Sequence, residues 1–95
     1  MPQFLSTIDE VFVLPSIDRG PIILPGVPKN LPLTAAVRIG DSIRLVRPDG
    51  VVIETSVQGI ESVAKGPFVP IMLEKNLPNS EVHVGSEVWH TPQPS

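Results

Sequence analysis

Val37-Arg38-Ile39-Gly40-Asp41-Ser42-Ile43-Arg44-Leu45-Val46-Arg47-Pro48-Asp49-Gly50-Val51-Val52-Ile53-Glu54-Thr55-Ser56-Val57-Gln58-Gly59 is the stretch that decides the fold. Between its glycine-bearing turns, apolar residues fall at every second position, the period of strands that bury one face. Ser42 to Arg47 reads as a strand with Ile43 and Leu45 inward and Arg44 toward solvent, followed by a hairpin turn at Pro48-Asp49-Gly50. Val51 to Gln58 is the returning strand, with Val51, Ile53, Thr55 and Val57 on one face. Gly40 is placed to take a positive φ in a tight turn, and Gly59 to bend the strand or mark a bulge.

Downstream, Phe68 to Leu73 aligns Val69, Ile71 and Leu73, and Pro70 among them points to an edge strand or a bulge. Asn76 to Ser80 reads as a short helical turn or loop. Glu81 to Trp89 then ends the fold, with Val82 and Val84, a turn at Gly85, and Val88 and Trp89 after it. Upstream, Glu10 to Leu14 reads as the first strand, stopped by Pro15, and Pro21 to Gly26 as the second. Ser16 to Gly20 is the turn between them, and Val27 to Pro32 a proline-bearing connection. About six short strands at close spacing predict an all-β fold, a small closed antiparallel barrel that forms one domain over residues 1–95. Its core is expected over about residues 10–89, with frayed termini that include the polar tail from His90.

Composition supports this and narrows function. Twelve prolines in 95 residues exclude long helices almost everywhere, because each proline inside a helix costs about 3 kcal/mol. Aromatic residues make up only 4%, so the core has to be built from Val, Ile and Leu, which favour strands. The absence of cysteine excludes disulfides, thiolate metal ligands and a thiol nucleophile, and fits a cytoplasmic location. The first residues, Met1 to Leu5, lack the basic and apolar regions of a secretory signal, and no apolar run approaches the ~20 residues that span a bilayer, so no membrane association is expected. A net charge of -3 argues against a broad nucleic-acid footprint, which is normally basic.

Arg38-Ile-Gly-Asp-Ser-Ile-Arg-Leu-Val, Val57-Gln-Gly-Ile-Glu-Ser-Val, Pro70-Ile-Met-Leu and Val84-Gly-Ser-Glu-Val-Trp89 follow one another in an order that resembles the second domain of translational GTPases, as in elongation factor Tu. Val11-Phe12-Val13 and Arg19-Gly20-Pro21-Ile22-Ile23-Leu24-Pro25-Gly26 look like the opening hairpin of that domain, so the resemblance covers about residues 10–89. It implies a free-standing translation-type barrel, the kind of module that packs against partner domains and ribonucleoprotein in the larger proteins. The chain has no Gly-x4-Gly-Lys-Ser/Thr loop to cradle phosphates, so neither GTP hydrolysis nor nucleotide binding is expected of it. Pro15, Pro21 and Pro25 depart from the family's opening hairpin, and contacts to transfer RNA are not carried over.

The residues therefore point to a non-enzymatic binding or accessory module with a protein partner, no cofactor, no metal and no catalytic residue. The expected interaction surface is Arg38, Arg44, Arg47, Lys65 and Trp89. The three arginines are the best basic cluster, with Arg38 and Arg44 leaving the core on neighbouring strands, and they make a ribonucleoprotein or RNA contact the main alternative. The plainer expectation for them is cross-strand pairing with Glu54 and charge for solubility. Trp89 is a candidate interface anchor or a plug for one barrel end, and Lys65 lies in a loop with Gly66 and Pro67. Glu81 and His83 should share the outward face of a strand near Glu87, more a solvated face than a metal site; Asp9, Glu10 and Asp18 read as turn and surface charges. A small-ligand or enzymatic site at a barrel mouth is the third alternative. Oligomeric state is left open by the sequence.

Overall fold

The computed structural model describes residues 2–13, 18–32, 35–61 and 65–91. Its strands are β1 (Gln3–Thr7), β2 (Glu10–Phe12), β3 (Ile22–Pro28), β4 (Ser42–Val46), β5 (Val52–Ile60), β6 (Phe68–Leu73) and β7 (Glu87–Thr91), with a 3₁₀ turn at Asn79–Glu81. They form one curled antiparallel sheet in the order β1-β7-β4-β5-β6-β3-β2. The fold is all-β, and no helix among the described residues is long and apolar enough to cross a membrane.

The β4–β5 hairpin forms as its alternation dictates, pairing Arg44 with Glu54 and Leu45 with Ile53. Its turn is closed by Arg47 N–H donating to Val51 O at 2.9 Å and Gly50 N–H to Arg47 O at 2.9 Å, with Gly50 at φ 90°. Before β4, Gly40 takes φ 94° and its N–H reaches Val57 O at 2.8 Å. Ile43, Leu45, Val57, Ile71 and Leu73 are all buried, and Ile53 packs against them half-buried. With Leu5, Ile8, Ile23, Val27, Leu77, Val82 and Val88 they make a wholly aliphatic core. Each such side chain contributes about 1.5–3 kcal/mol when fully buried. Val51 departs from the expected inward face and is exposed, because the turn holds it outside the paired strand.

Strand β1 and residues His90 and Thr91 of β7 extend the sheet beyond the 10–89 span expected for the core. The register of β1 shifts between Phe4 and Ser6, so Leu5 and Ser6 are both buried and the two-residue period that marks a strand is broken. Only Ile8 and Asp9 separate β1 from β2, although the two lie at opposite ends of the strand order. Ile8 N–H donates to Ser86 O at 2.8 Å on the β7 side, and Asp9 N–H to Leu24 O at 2.7 Å on the β3 side. The buried Ser6 hydroxyl also donates to Gly26 O at 2.6 Å, tying β1 to β3. One continuous segment, residues 3–12, thus supplies both terminal strands. Leu14, Pro15, Ser16 and Ile17, at the end of the expected first strand and in its turn, lie outside the described residues.

Pro70 does not mark an edge, since β6 is paired on both sides. It lies opposite an irregularity instead: the β3 register jumps from Ile23 to Val27 while β6 advances only from Ile71 to Val69. The interrupted ladder needs no N–H from Pro70 there, and Gly26, at φ 93°, brings its backbone against Val69 and Pro70. Gly59 falls at a third irregularity, between Val57 and Gly59 of β5, as its position in the sequence suggests.

Candidate recognition face

Strands β1, β7, β4 and β5 are neighbours, so one outward residue from each can line up across the sheet. Phe4 is opposite Trp89, Trp89 opposite Arg44, and Arg44 opposite Glu54. Alternation turns Trp89 outward because Val88 and His90, on either side of it, are buried. Trp89 therefore does not plug an end of the sheet. Its ring meets Phe4 edge-on with centroids 5.4 Å apart, and its indole N–H donates to Glu87 at 3.1 Å. Arg44 pairs with Glu54 at 2.8 Å while half of its side chain stays in solvent, an exposed pair of small worth. Pro2, Arg44, Val46 and Trp89 line a shallow cleft on this face, and Val52 beside it is 51% exposed.

The other expected contact residues are placed elsewhere. Arg38 is exposed but lies in the segment before the Ile39-Gly40 turn rather than on a strand beside Arg44, and its backbone N–H donates to Asp41. Arg47 is only 15% exposed and is held by two carboxylates, Asp49 at 2.6 Å and Glu81 at 2.8 Å. Its charge ties the hairpin to the 3₁₀ turn and is not free for phosphate. Lys65 is exposed in the loop leading to β6, which β5 separates from β4. The structure thus brings Arg44 and Trp89 together and leaves Arg38, Arg47 and Lys65 apart from them.

Glu81 and His83 do not share a strand face. Glu81 ends the 3₁₀ turn and binds Arg47, His83 Nε2 lies 2.9 Å from Ser80 O, and Glu87 holds the Trp89 indole. Of Val82 and Val84, read together as part of the closing segment, Val82 is buried, whereas Val84 is 60% exposed because it sits in the turn with Gly85. Asp9, Glu10 and Asp18 are exposed as expected of surface charges.

Asp49 has a carboxyl held below its ordinary 3.8, chiefly by the Val51 N–H; desolvation opposes this, and the Arg47 guanidinium and His83 add to the lowering. A depressed acid stabilises the folded form above its unfolded value, and that contribution disappears as pH falls through the folded value. Acidification below about 4 should therefore weaken the hairpin turn, and Asp49→Asn should flatten that part of the pH dependence. Chemical unfolding of both proteins at neutral pH and near pH 3 checks this; identical acid losses in the two would contradict it.

His90, read from the sequence as part of a frayed tail, is fully buried. Its Nε2 lies 2.9 Å from Asp41 Oδ2, and its Nδ1 2.9 Å from Gln3 Nε2. The Gln3 amide also donates to Ala35 O at 2.7 Å, so it acts as donor to both, which assigns His90 as the neutral tautomer with Nε2–H donating to Asp41. Asp41 Oδ2 accepts the Arg38 N–H at 2.9 Å as well. This clasp joins β1, β7, the start of β4 and the loop at Ala35. The signal for it was present: Val88 and His90 are two apart and share a face.

These contacts define an all-β sheet protein with an aromatic and arginine row on its outer surface. Comparison with family models, with curated proteins and with solved structures found no match.

Proposed function

We propose that the chain is a non-catalytic binding module whose recognition face is the outer surface of β1, β7, β4 and β5. The observation that carries this is the row Phe4, Trp89, Arg44 and Glu54: tryptophan and arginine are the residue types that dominate binding hot spots, and here they sit side by side on a rigid sheet. We also read the architecture as a closed six-stranded barrel of the translation-factor type. Counting β1 and β2 as one strand bent at Ile8 and Asp9 supports closure, since each half is bonded to a different neighbour and such a cylinder has no open edge. The turns at Gly40 and Gly85, each just before a strand, support this reading.

The partner is a protein in this reading, and a cytoplasmic location fits it. Adjacent Trp89 and Arg44 would also suit a single-stranded RNA, by stacking and phosphate contact. The net charge of -3 and the engagement of Arg47 by two carboxylates weigh against that alternative. The test is affinity capture from the source cell with the wild-type chain and with Phe4→Ala and Trp89→Ala. A protein retained by the wild type and lost with either variant is the expected result. GTP hydrolysis by the purified chain at an enzyme-like rate would overturn it, and capture of RNA with a steep salt dependence would replace the protein partner by a nucleic acid.

A further inference from the structure

We propose, resting on the recognition face just described, that one partner of this face is a second copy of the chain, in a weak two-fold dimer built on reciprocal contacts between Arg44 and Trp89. Three features lead there. The chain has three phenylalanines and one tryptophan, and none of them belongs to the core. Two of the four instead face each other on the outside of β1 and β7. The two middle members of that row are unlike: the Trp89 indole N–H is held by the Glu87 carboxylate, and Arg44, paired with Glu54, keeps a half-exposed guanidinium.

A row with unlike ends is complementary to its own reverse. A two-fold axis lying along the strands between β7 and β4 turns this face over onto a second copy and reverses the row. Each Arg44 then lies over the Trp89 indole of the other copy, beside the Glu87 that holds it, and the Phe4 end of each row meets the Glu54 end of the other. Cation–π attraction is strongest for arginine on tryptophan, and the geometry is isologous, as two-fold dimers require. A two-fold axis across the strands would set Trp89 on Trp89 and Arg44 on Arg44, bringing like charges together. Charge therefore selects the first arrangement. The outer face of a curled sheet is convex, so the contact is small, and a dissociation constant of about 10⁻⁵–10⁻⁴ M is expected.

Trp89 is the single tryptophan, so its emission reports on this contact directly. Sedimentation and fluorescence of the full chain from micromolar to millimolar concentration should show a monomer giving way to a dimer, with the emission changing over the same range. Arg44→Ala and Trp89→Ala should each raise the dissociation constant about tenfold or more while both remain folded, read by sedimentation because Trp89→Ala removes the only tryptophan. An equal mixture of the two variants should associate more strongly than either alone, because a mixed dimer keeps one of the two Arg44–Trp89 contacts. A chain that stays monomeric at millimolar concentration, or a dimer that neither substitution weakens, overturns the inference. If the chain is monomeric and Trp89→Ala still loses a captured protein, the second copy is excluded and the recognition face stands. If Trp89→Ala changes neither association nor capture, both fail.

Discussion

Gly26→Ala should leave little or no folded protein, whereas Gly40→Ala should fold. Both glycines have φ near +93°, so both substitutions carry the cost of a left-handed residue, about 1 kcal/mol. What separates them is space. A Cβ on Gly26 would run into the Val69 carbonyl oxygen and the Pro70 Cα, both backbone atoms of an interior strand, whereas a Cβ on Gly40 would meet nothing within 4 Å. Relieving the first clash means moving β3 away from β6 where Ser6 also binds Gly26, so β1 loses its tie to β3 in the same movement. The expected loss is about 4 kcal/mol or more, a large share of the 5–15 kcal/mol typical of a domain. Urea unfolding followed by Trp89 emission measures it. Similar stabilities for the two variants would mean that Gly26 is needed only for its φ.

The second large effect is expected at Asp41. In Asp41→Ala the buried His90 Nε2–H loses its acceptor, at a cost of about 1–3 kcal/mol, and the Arg38 N–H, on an exposed residue that water can reach, loses a hydrogen bond worth about 1 kcal/mol. The total, about 2–4 kcal/mol, falls at the junction of β1, β7 and β4. Asp41→Asn should cost less than half as much, since both bonds end on one oxygen, which an amide oxygen can replace. Unfolding curves of the two variants give the comparison, and equal losses would show that the negative charge itself is required. Loosening this clasp would also loosen Phe4, the neighbour of Trp89, so the core polar contact and the surface row are mechanically linked through β1.

How far the sequence carried the reading differs from element to element. The β4–β5 hairpin was legible residue by residue, because both strands keep an unbroken two-residue period and the turn carries Asp49-Gly50. The pairing of Arg44 with Glu54 followed from that register. β1 was not legible: a register shift places Leu5 and Ser6 inward together, which no alternation reveals. His90 was missed because polar, proline-bearing tails usually fray, and its partners Asp41 and Gln3 are 49 and 87 residues away. Arg44 and Trp89 were named as contact residues separately, but their adjacency depends on β7 pairing with β4, which connects distant parts of the chain. Arg47 misled because a sequence does not show that Glu81 and Asp49 converge on it.

Phe4, Trp89 and Arg44 make up the proposed recognition face. The most direct measurement is an amide and indole NMR spectrum of the labelled chain, followed with increasing concentration and then with the captured partner. Shifts should concentrate at Phe4, Arg44, Val46 and the Trp89 indole. The contrary result is shifts confined to the outer surface of β3 and β6, where Ile22, Pro70 and Met72 line a groove with Ile60, Arg19 and Glu61.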